Sequence, residues 1–577
     1  MNKNTQERRG FIRSDKFFWT TFVVITSPIA VFLLWTQTHK VLALFDFTYY
    51  TDNAIRILNG QIPYRDFTLF ANPGSFYELA GVFAVFGTSY EAVFGLMAAQ
   101  TIFVCLLVGL ICFELFRNSQ QKYLILAGLT ASSVAVANVY FLFNQPYYDA
   151  SATVSILLSM FLIIKSSAVI PNGPRYQWFW AFLAGSSVLW PFLYKQTFGI
   201  AWCGLLVLGW LVALIGGKVK SNLTPNVLGF SLTAFFIFFY LIINDALENW
   251  FEQTISYPLT IRNSSFFQLF DELKSLERPL LLLVGLVGVI VLSNRAISKP
   301  KKDVAFFVPI LFTALFFIAA VIPSLDEESR AEIVSNIWIS ILPLTLSSLI
   351  LFMILAVVGK KNFDLWDLLS LALIGSLMTG WLSQGFLLSS HATWPLVLIG
   401  VLIALRQNMK YLDNRYFSFL FLCSVAAVVV FVIGIFISAM SLARYSWLDP
   451  SGEAKPVYGL SWASTPGNSG VDTETAAELF IKYSKMGKTT VFPGEEPIAF
   501  VTGIIPATDV SASDRSTNPL FDDLQTWIQV NKIRYVIVRK DGQSPGVSNI
   551  LAERIEELTE GLYLVEQKGR FTVYHTR

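Results

Sequence analysis

Asp46 and Lys195 each stand where a long apolar run gives way to a polar segment. A carboxylate at such a boundary is partly desolvated, which raises its pKa and suits it to accept a proton. The plainer reading of Asp46 is an acidic residue that ends a helix at the headgroups. A lone lysine between two apolar runs is costly unless it reaches water or an anion. Lys195 therefore either binds an anion or snorkels to the interface. The segment that follows Asp46 is dense in reactive types: Asp52, Arg56, Tyr64, Arg65 and Asp66, then Asn72-Pro73-Gly74. Within it Thr51 to Leu58 suits a short surface helix, stopped by Gly60.

The elements that must position these residues are membrane helices. Of 577 residues, 54% are hydrophobic and 14% charged. A soluble chain carries roughly a quarter charged residues, and a water-soluble fold of this size cannot hide so much apolar sequence. The net charge of +2 does not point to a nucleic-acid partner. Cys105, Cys112, Cys203 and Cys423 all lie inside apolar runs, as packed thiols do, with no metal-ligand spacing. The first apolar run is too long for a signal-peptide core and lacks a small-residue cleavage site, so it reads as a retained helix.

A span needs about 20 apolar residues. The sequence gives spans near 17–38, 90–116, 123–143, 148–166, 177–194, 198–216, 225–243, 279–294, 304–323, 336–358, 366–386, 392–406 and 416–441, about 13 in all. Residues 74–87 are apolar but short and read as a re-entrant or interfacial helix. Lysine and arginine gather in alternate loops, from Lys3, Arg8 and Arg9 through Lys218 and Lys220 to Lys360, Lys361 and Lys410. The other loops carry Asp46, Asp52, Asp66, Asp149, Glu248 and Asp326. This alternation places the N-terminus in the cytoplasm and, with an odd number of spans, the C-terminal region outside.

The chain thus divides into a membrane domain, 1–444, with its first outer loop at 39–89, and a soluble domain, 445–577. In the second part Thr473–Met486, Pro519–Val530 and Ile550–Thr559 read as helices. Thr489–Phe492 and Arg534–Val538 read as strands, and Leu562–Val565 with Phe571–Tyr574 as a hairpin around Lys568-Gly569. Such alternation predicts a small α/β domain. It holds no glycine-rich phosphate loop or nucleophile elbow, and reads best as a lid or docking unit.

The order of Asp46 and its aromatic neighbours, Ala54-x-x-Ile57-Leu58-x-Gly60-x-x-Pro63-Tyr64-Arg65-Asp66-Phe67, Asn72-Pro73-Gly74 and Phe86-Gly87 resembles the first outer loop of the GT-C glycosyltransferases. Their bacterial branch, similar to the mannosyltransferase and lipid A aminoarabinose transferase families and thus like glycosyltransferase family 39, is nearest in pattern. Asn144-Gln-Pro-Tyr-Tyr-Asp149 resembles a second acidic motif, Lys195-Gln196-Thr197 a lysine motif, and His391-Ala-Thr-Trp-Pro395 a histidine-proline motif. Phe492-Pro-Gly-Glu-Glu-Pro-Ile498 resembles part of the family's outer domain. All four membrane-domain motif regions fall on the outer side of a topology drawn from charge alone.

The resemblance implies a polytopic α-helical membrane protein of GT-C type with a small C-terminal α/β extracytoplasmic domain. It implies transfer of a sugar, with inversion, from a polyprenyl-phosphate donor to a glycan, lipid or protein acceptor at the outer face of the membrane. It assigns Asp46 as general base and Asp149 as the residue that positions the acceptor or a cation. Lys195 and His391 become donor-phosphate ligands, with a purely structural histidine as the other reading. Asp52, Arg65, Asp66 and Gln196 become candidates for the substrate side, although Tyr64, Arg65 and Asp66 could equally form a turn with an ion pair. The first motif reads Asp-Phe where relatives often have two adjacent acids, so Asp52 is an alternative base. A divalent cation between Asp46 and Asp149 is compatible with the pattern, but no cluster of metal-ligand spacing calls for one. The aromatic and acidic stretch 244–278 is expected to lie over the site as an interfacial flap. A transporter of lipid-linked sugars, or a polymerase or ligase of glycan chains, are the other readings. Against the transporter, no internal repeat is evident and charges gather at the ends of spans, not at mid-membrane.

Overall fold

The computed structural model describes residues 44–117, 148–167, 174–215, 223–256, 365–384, 469–492, 497–507, 528–539 and 559–576, with short pieces at 18–28, 128–132, 395–403, 454–456 and 464–466. Its first helices are α1 (Leu44–Leu58), α2 (Gly74–Phe86), α3 (Tyr90–Phe116) and α4 (Tyr148–Ser167). They are followed by α5 (Pro174–Ser187), α6 (Trp190–Tyr194), α7 (Gln196–Ile215), α8 (Leu223–Ile243), α9 (Leu247–Phe251), one π-helical turn (Glu252–Ser256) and α10 (Leu365–Gln384). Among the described residues α3, α4 and α8 are long and apolar enough to cross a membrane. The expected spans at 90–116, 148–166, 198–216, 225–243 and 366–386 all appear as helices within a few residues. The expected spans at 279–294, 304–323, 336–358 and 416–441 lie outside the described residues.

Two local expectations change. The helix expected from Thr51 runs from Leu44, so Asp46 stands within α1. The expected span 177–194 is divided into α5 and α6. Hydropathy is continuous there, but Gly185-Ser186-Ser187 interrupts the apolar run and Pro191 sits at the start of α6. Proline fits a first turn and not a helix interior. The division places Lys195 in extended backbone between α6 and α7.

The helices share one core, in which Trp202, Phe198, Ile156, Met160, Leu373 and Val188 are buried. Beside it the segment expected as the first outer loop builds a second core from Phe47, Tyr50, Tyr64, Phe67, Phe76 and Phe83. Glycines allow the two to meet. A Cβ on Gly74 would come within 2.6 Å of the Leu193 carbonyl oxygen, and one on Gly199 within 2.1 Å of Phe192 Cα. Larger residues at either place would push α6 away from α2 and α7.

In the C-terminal part, β1 (Ala454–Pro456) pairs with β2 (Ser464–Pro466). Then come α11 (Ser469–Ser484), β3 (Thr489–Phe492), α12 (Ile498–Thr502), β4 (Tyr535–Arg539), β5 (Tyr563–Lys568) and β6 (Phe571–His575). The sheet order is β3-β4-β6-β5, with β3 and β4 parallel and the other pairs antiparallel. The expected strands and hairpin are present, and α11 packs on the sheet through Ala476, Phe480 and Tyr483. The expected helices at 519–530 and 550–559 lie mostly outside the described residues.

α12 does not stay within this layer. Phe500 inserts into the core of the first outer loop, with its ring centroid 5.1 Å from Phe47 and 5.9 Å from Phe83. Arg56 Nη2 on α1 donates to the Pro506 carbonyl at 3.1 Å. Removing a buried aromatic costs about 3–5 kcal/mol when its site cannot collapse. Phe500→Ala is therefore expected to speed hydrogen exchange in α1 and α2 while β3, β4 and β6 keep their protection. Unchanged exchange in α1 would show that the docking does not hold that helix.

Candidate functional site

Asp149 belongs to α4 and Lys195 to the break between α6 and α7, yet their charged groups meet. Lys195 Nζ donates to Asp149 Oδ1, and the side chains are 5% and 0% exposed. The ammonium also lies 4.6 Å from the Phe198 ring centroid and 5.2 Å from that of Tyr148, distances at which an aromatic face attracts a cation. Two residues taken from separate sequence motifs thus form one buried ion pair. A buried charge is stable only when paired, so the pairing explains how a lysine can occupy this position.

The pair is joined to the first outer loop. Tyr148, beside Asp149, donates its backbone N–H to Tyr50 Oη on α1 at 2.6 Å, and the two rings lie 5.8 Å apart. Tyr50 in turn stacks on Phe76 of α2 at 5.2 Å. Asp46 precedes Tyr50 by four residues on the same helix, so position 46 falls on the face that turns Tyr50 toward Tyr148. Asp52, half-buried, follows Tyr50 by two and falls on another face.

Asn72-Pro73-Gly74 seats this loop against α6, the helix that ends at Lys195. Asn72 Nδ2 donates to the Phe192 carbonyl of α6, and Asn72 Oδ1 accepts from Trp250 Nε1 at 2.9 Å. Asn249 Nδ2 donates to the Tyr64 carbonyl at 3.0 Å, and Gln253 Oε1 accepts from Leu69 N at 3.0 Å. The described part of the 244–278 stretch is therefore bound to the first outer loop as a clasp. Gln196, proposed from sequence for the substrate side, gives its Nε2 to the Phe70 carbonyl at 2.9 Å and to the Thr254 carbonyl at 3.4 Å. Its amide joins the loop to the π-helical turn.

Arg65 and Asp66 form a turn. Arg65 Nε and Nη2 donate to the neighbouring carboxylate at 2.8 Å, and Ile62 N donates to Asp66 Oδ2 at 2.7 Å. The hydrogen bond from Arg65 holds the Asp66 carboxyl below its usual range, against the opposing effect of burial. Tyr64 is fully buried at φ +68°, a backbone region that costs a non-glycine residue energy. Its hydroxyl donates to the Ala71 carbonyl at 2.8 Å, and burial pushes that hydroxyl's pKa well up. Tyr64→Phe is expected to lower stability by about 1 kcal/mol, measured by unfolding in lipid nanodiscs. An unchanged midpoint would mean that the bond contributes nothing.

The side chain of Asp46 and the whole of His391 lie outside the described residues. Among the described residues no group of three or more His, Cys, Asp or Glu is placed to hold a metal. One residue near the pair was missed by the sequence reading. Glu78 is the only acid or base in the apolar helix α2, and its carboxylate accepts from Ser151 Oγ at 3.0 Å, two residues beyond Asp149. The signal was available: a single charge in an otherwise apolar helix calls for a reason.

No family model matches this chain, and no curated protein matches it. Among solved structures it is similar to ArnT from Cupriavidus metallidurans bound to undecaprenyl phosphate, with 14% identity, a TM-score of 0.42, and coverage of 96% of this chain and 97% of that one. The apo state of the same ArnT is similar at 12% identity and a TM-score of 0.40, again over 96% and 97% of the two chains. The cryo-EM structure of the arabinofuranosyltransferase AftD from Mycobacteria is similar at 13% identity and a TM-score of 0.41, covering 96% of this chain and 40% of that one. Likenesses at this level assign no residue a role.

Proposed function

We propose that this chain is a membrane glycosyltransferase of GT-C type, which transfers a sugar from a polyprenyl-phosphate donor to an acceptor at the outer face of the membrane. The observation that carries the reading is the buried pair of Asp149 and Lys195 beside the first outer loop. Such a reaction needs a cation for the departing lipid phosphate and a base for the acceptor hydroxyl, at a height where a greasy tail and a polar head are both accommodated.

In this reading Lys195 holds the donor phosphate. Before the donor arrives, Asp149 neutralises the ammonium, so the site stays folded without ligand. The phosphate then replaces Asp149 on Lys195, and the released carboxylate helps to place the acceptor. Asp46 takes the acceptor proton as the hydroxyl oxygen attacks the sugar carbon from the face opposite the phosphate. The sugar–phosphate bond breaks with inversion, and the lipid phosphate leaves on Lys195. His391 is the second proposed phosphate contact. Asp52, Arg65 and Asp66 remain proposed for the acceptor side, the last two as the rim of an ordered turn. Gln196 acts through the clasp it makes. The charge pattern supports a cytoplasmic N-terminus, a plasma or inner membrane location and an outer C-terminal domain, divided from the membrane domain near residue 444.

The test is to incubate the purified full chain in nanodiscs with a panel of polyprenyl-phosphate sugars and follow lipid phosphate release and product anomer. Release of lipid phosphate with an inverted product is expected for at least one donor. Donors that stay intact across the panel, with phosphate-lipid binding also absent, would sink the reading.

A further inference from the structure

Glu78 belongs to none of the motifs, yet it occupies the junction of three elements, one of which carries Asp149. It lies on α2, and Ser151 Oγ of α4 donates to its Oε2 at 3.0 Å. Gln100 Nε2 of α3 donates to the same Ser151 Oγ at 2.9 Å. Ser151 and Gln100 are 4% and 8% exposed and Glu78 is half-buried, so the carboxyl reaches from a partly open position into the helix interior. Among the described residues no lysine or arginine pairs with Glu78. Burial raises its pKa, and hydrogen bonding opposes that shift in part. Tyr194, the residue before Lys195, lies against the start of α2, where a Cβ on Gly74 would come within 3.0 Å of Tyr194 Cδ1.

The arrangement reaches both halves of the pair. Ser151 follows Asp149 by two residues on α4, and Tyr194 precedes Lys195 by one. The same helix α2 begins against the Leu193 carbonyl. A carboxyl in such surroundings is retained at a cost that an apolar side chain would avoid. A contact needed only for packing would not require it.

We propose that Glu78 is a positioning residue for the Lys195–Asp149 pair: through Ser151 and Gln100 it ties α2 to α3 and α4 and sets the spacing at which Lys195 can pass from Asp149 to a lipid phosphate. The inference rests on the reading of Lys195 as the phosphate ligand. The carboxyl works as a hydrogen-bond acceptor, so a neutral isostere that still accepts from Ser151 performs the same task. Its charge is not required.

The experiment measures binding of undecaprenyl phosphate to the full chain in nanodiscs, with thermal unfolding of each variant recorded alongside. Glu78→Ala is expected to weaken binding about tenfold, the equivalent of one hydrogen-bonded contact. Glu78→Gln keeps the affinity within about threefold. Ser151→Ala is expected to weaken binding with Glu78 intact, and the double variant with Glu78→Ala to bind no worse than Glu78→Ala alone, as members of one network do. Binding that is the same in Glu78→Ala and the wild type overturns the inference, even if the variant melts earlier, and leaves the Lys195 reading standing. Equal loss in Glu78→Gln and Glu78→Ala also overturns it, since the charge would then be what matters. If Glu78→Ala does not fold, Glu78→Gln and Ser151→Ala decide alone. Failure of the wild type to bind the lipid phosphate overturns the Lys195 reading and this inference with it.

Discussion

Lys195→Ala is expected to lower stability by about 3–5 kcal/mol as well as to abolish lipid-phosphate binding. Reasoning from sequence, a lone lysine at the interface should affect binding far more than folding, and that difference would identify a ligand residue. The ion pair removes the difference. Asp149 is wholly buried and held by Lys195. Truncating the lysine leaves a carboxylate without its cation, and it must either take up a proton or pull water into the core. A variant that loses both properties therefore says nothing about which is primary. The informative protein is the double variant Lys195→Met with Asp149→Leu. Replacing both members of a buried pair by apolar groups of similar size is often neutral or stabilising. It is expected to melt at or above the wild-type temperature and to bind undecaprenyl phosphate about 10- to 100-fold more weakly, the loss of one charge-assisted contact. Wild-type affinity in a stable double variant would remove Lys195 from the phosphate site.

The same pair marks what a sequence can and cannot disclose. Hydropathy and charge alternation assign Asp149 and Lys195 to one side of the membrane as an expectation, because both patterns answer to the bilayer and are local. That the two residues touch depends on how α4 packs against the short α6, and 46 residues of separation carry no trace of it. The division of the expected span 177–194 is of the same kind. Its apolar content fits one helix, and only the polar residues before Pro191 hint that it is two. The strands of the C-terminal sheet were legible because period and turn residues specify them directly, as in β5 and β6 around Gly569. The docking of Phe500 against Phe47 was not, since Phe500 reads locally as an ordinary apolar residue on a short helix.

Gln196 and Asn72 illustrate a subtler limit. Each lies in a motif that pointed toward ligand chemistry, and each spends its amide on backbone carbonyls of neighbouring elements. Polar residues next to a site have two employers, the ligand and the scaffold, and spacing alone does not choose between them. Partner geometry does: an amide already shared between the Phe70 and Thr254 carbonyls is positioning the loop. Arg65 and Asp66 follow the same logic, because a carboxylate that accepts from both Arg65 and Ile62 is committed to its turn.

Asp46→Asn is expected to reduce transfer about 10²- to 10⁴-fold, the range supplied by a positioned general base, with insertion, melting and lipid-phosphate binding unchanged. Asp52→Asn is expected to retain transfer within about tenfold on the same scale. The two acids are six residues apart on α1, and the helix separates them. Tyr50 fixes which face matters, because its hydroxyl receives the backbone N–H of Tyr148, whose ring lies under Lys195. Position 46 is one turn back on that face, whereas position 52 is turned away from it. The proton acceptor and the phosphate ligand must reach the same sugar carbon, the first from the side of the acceptor oxygen and the second from the side of the departing phosphate, so the base has to lie on the face of α1 turned toward the site of Lys195. If Asp52→Asn silences transfer and Asp46→Asn spares it, then α1 presents its other face to the acceptor, and the line from Tyr50 through Tyr148 to Lys195 holds the loop in place without aiming the base.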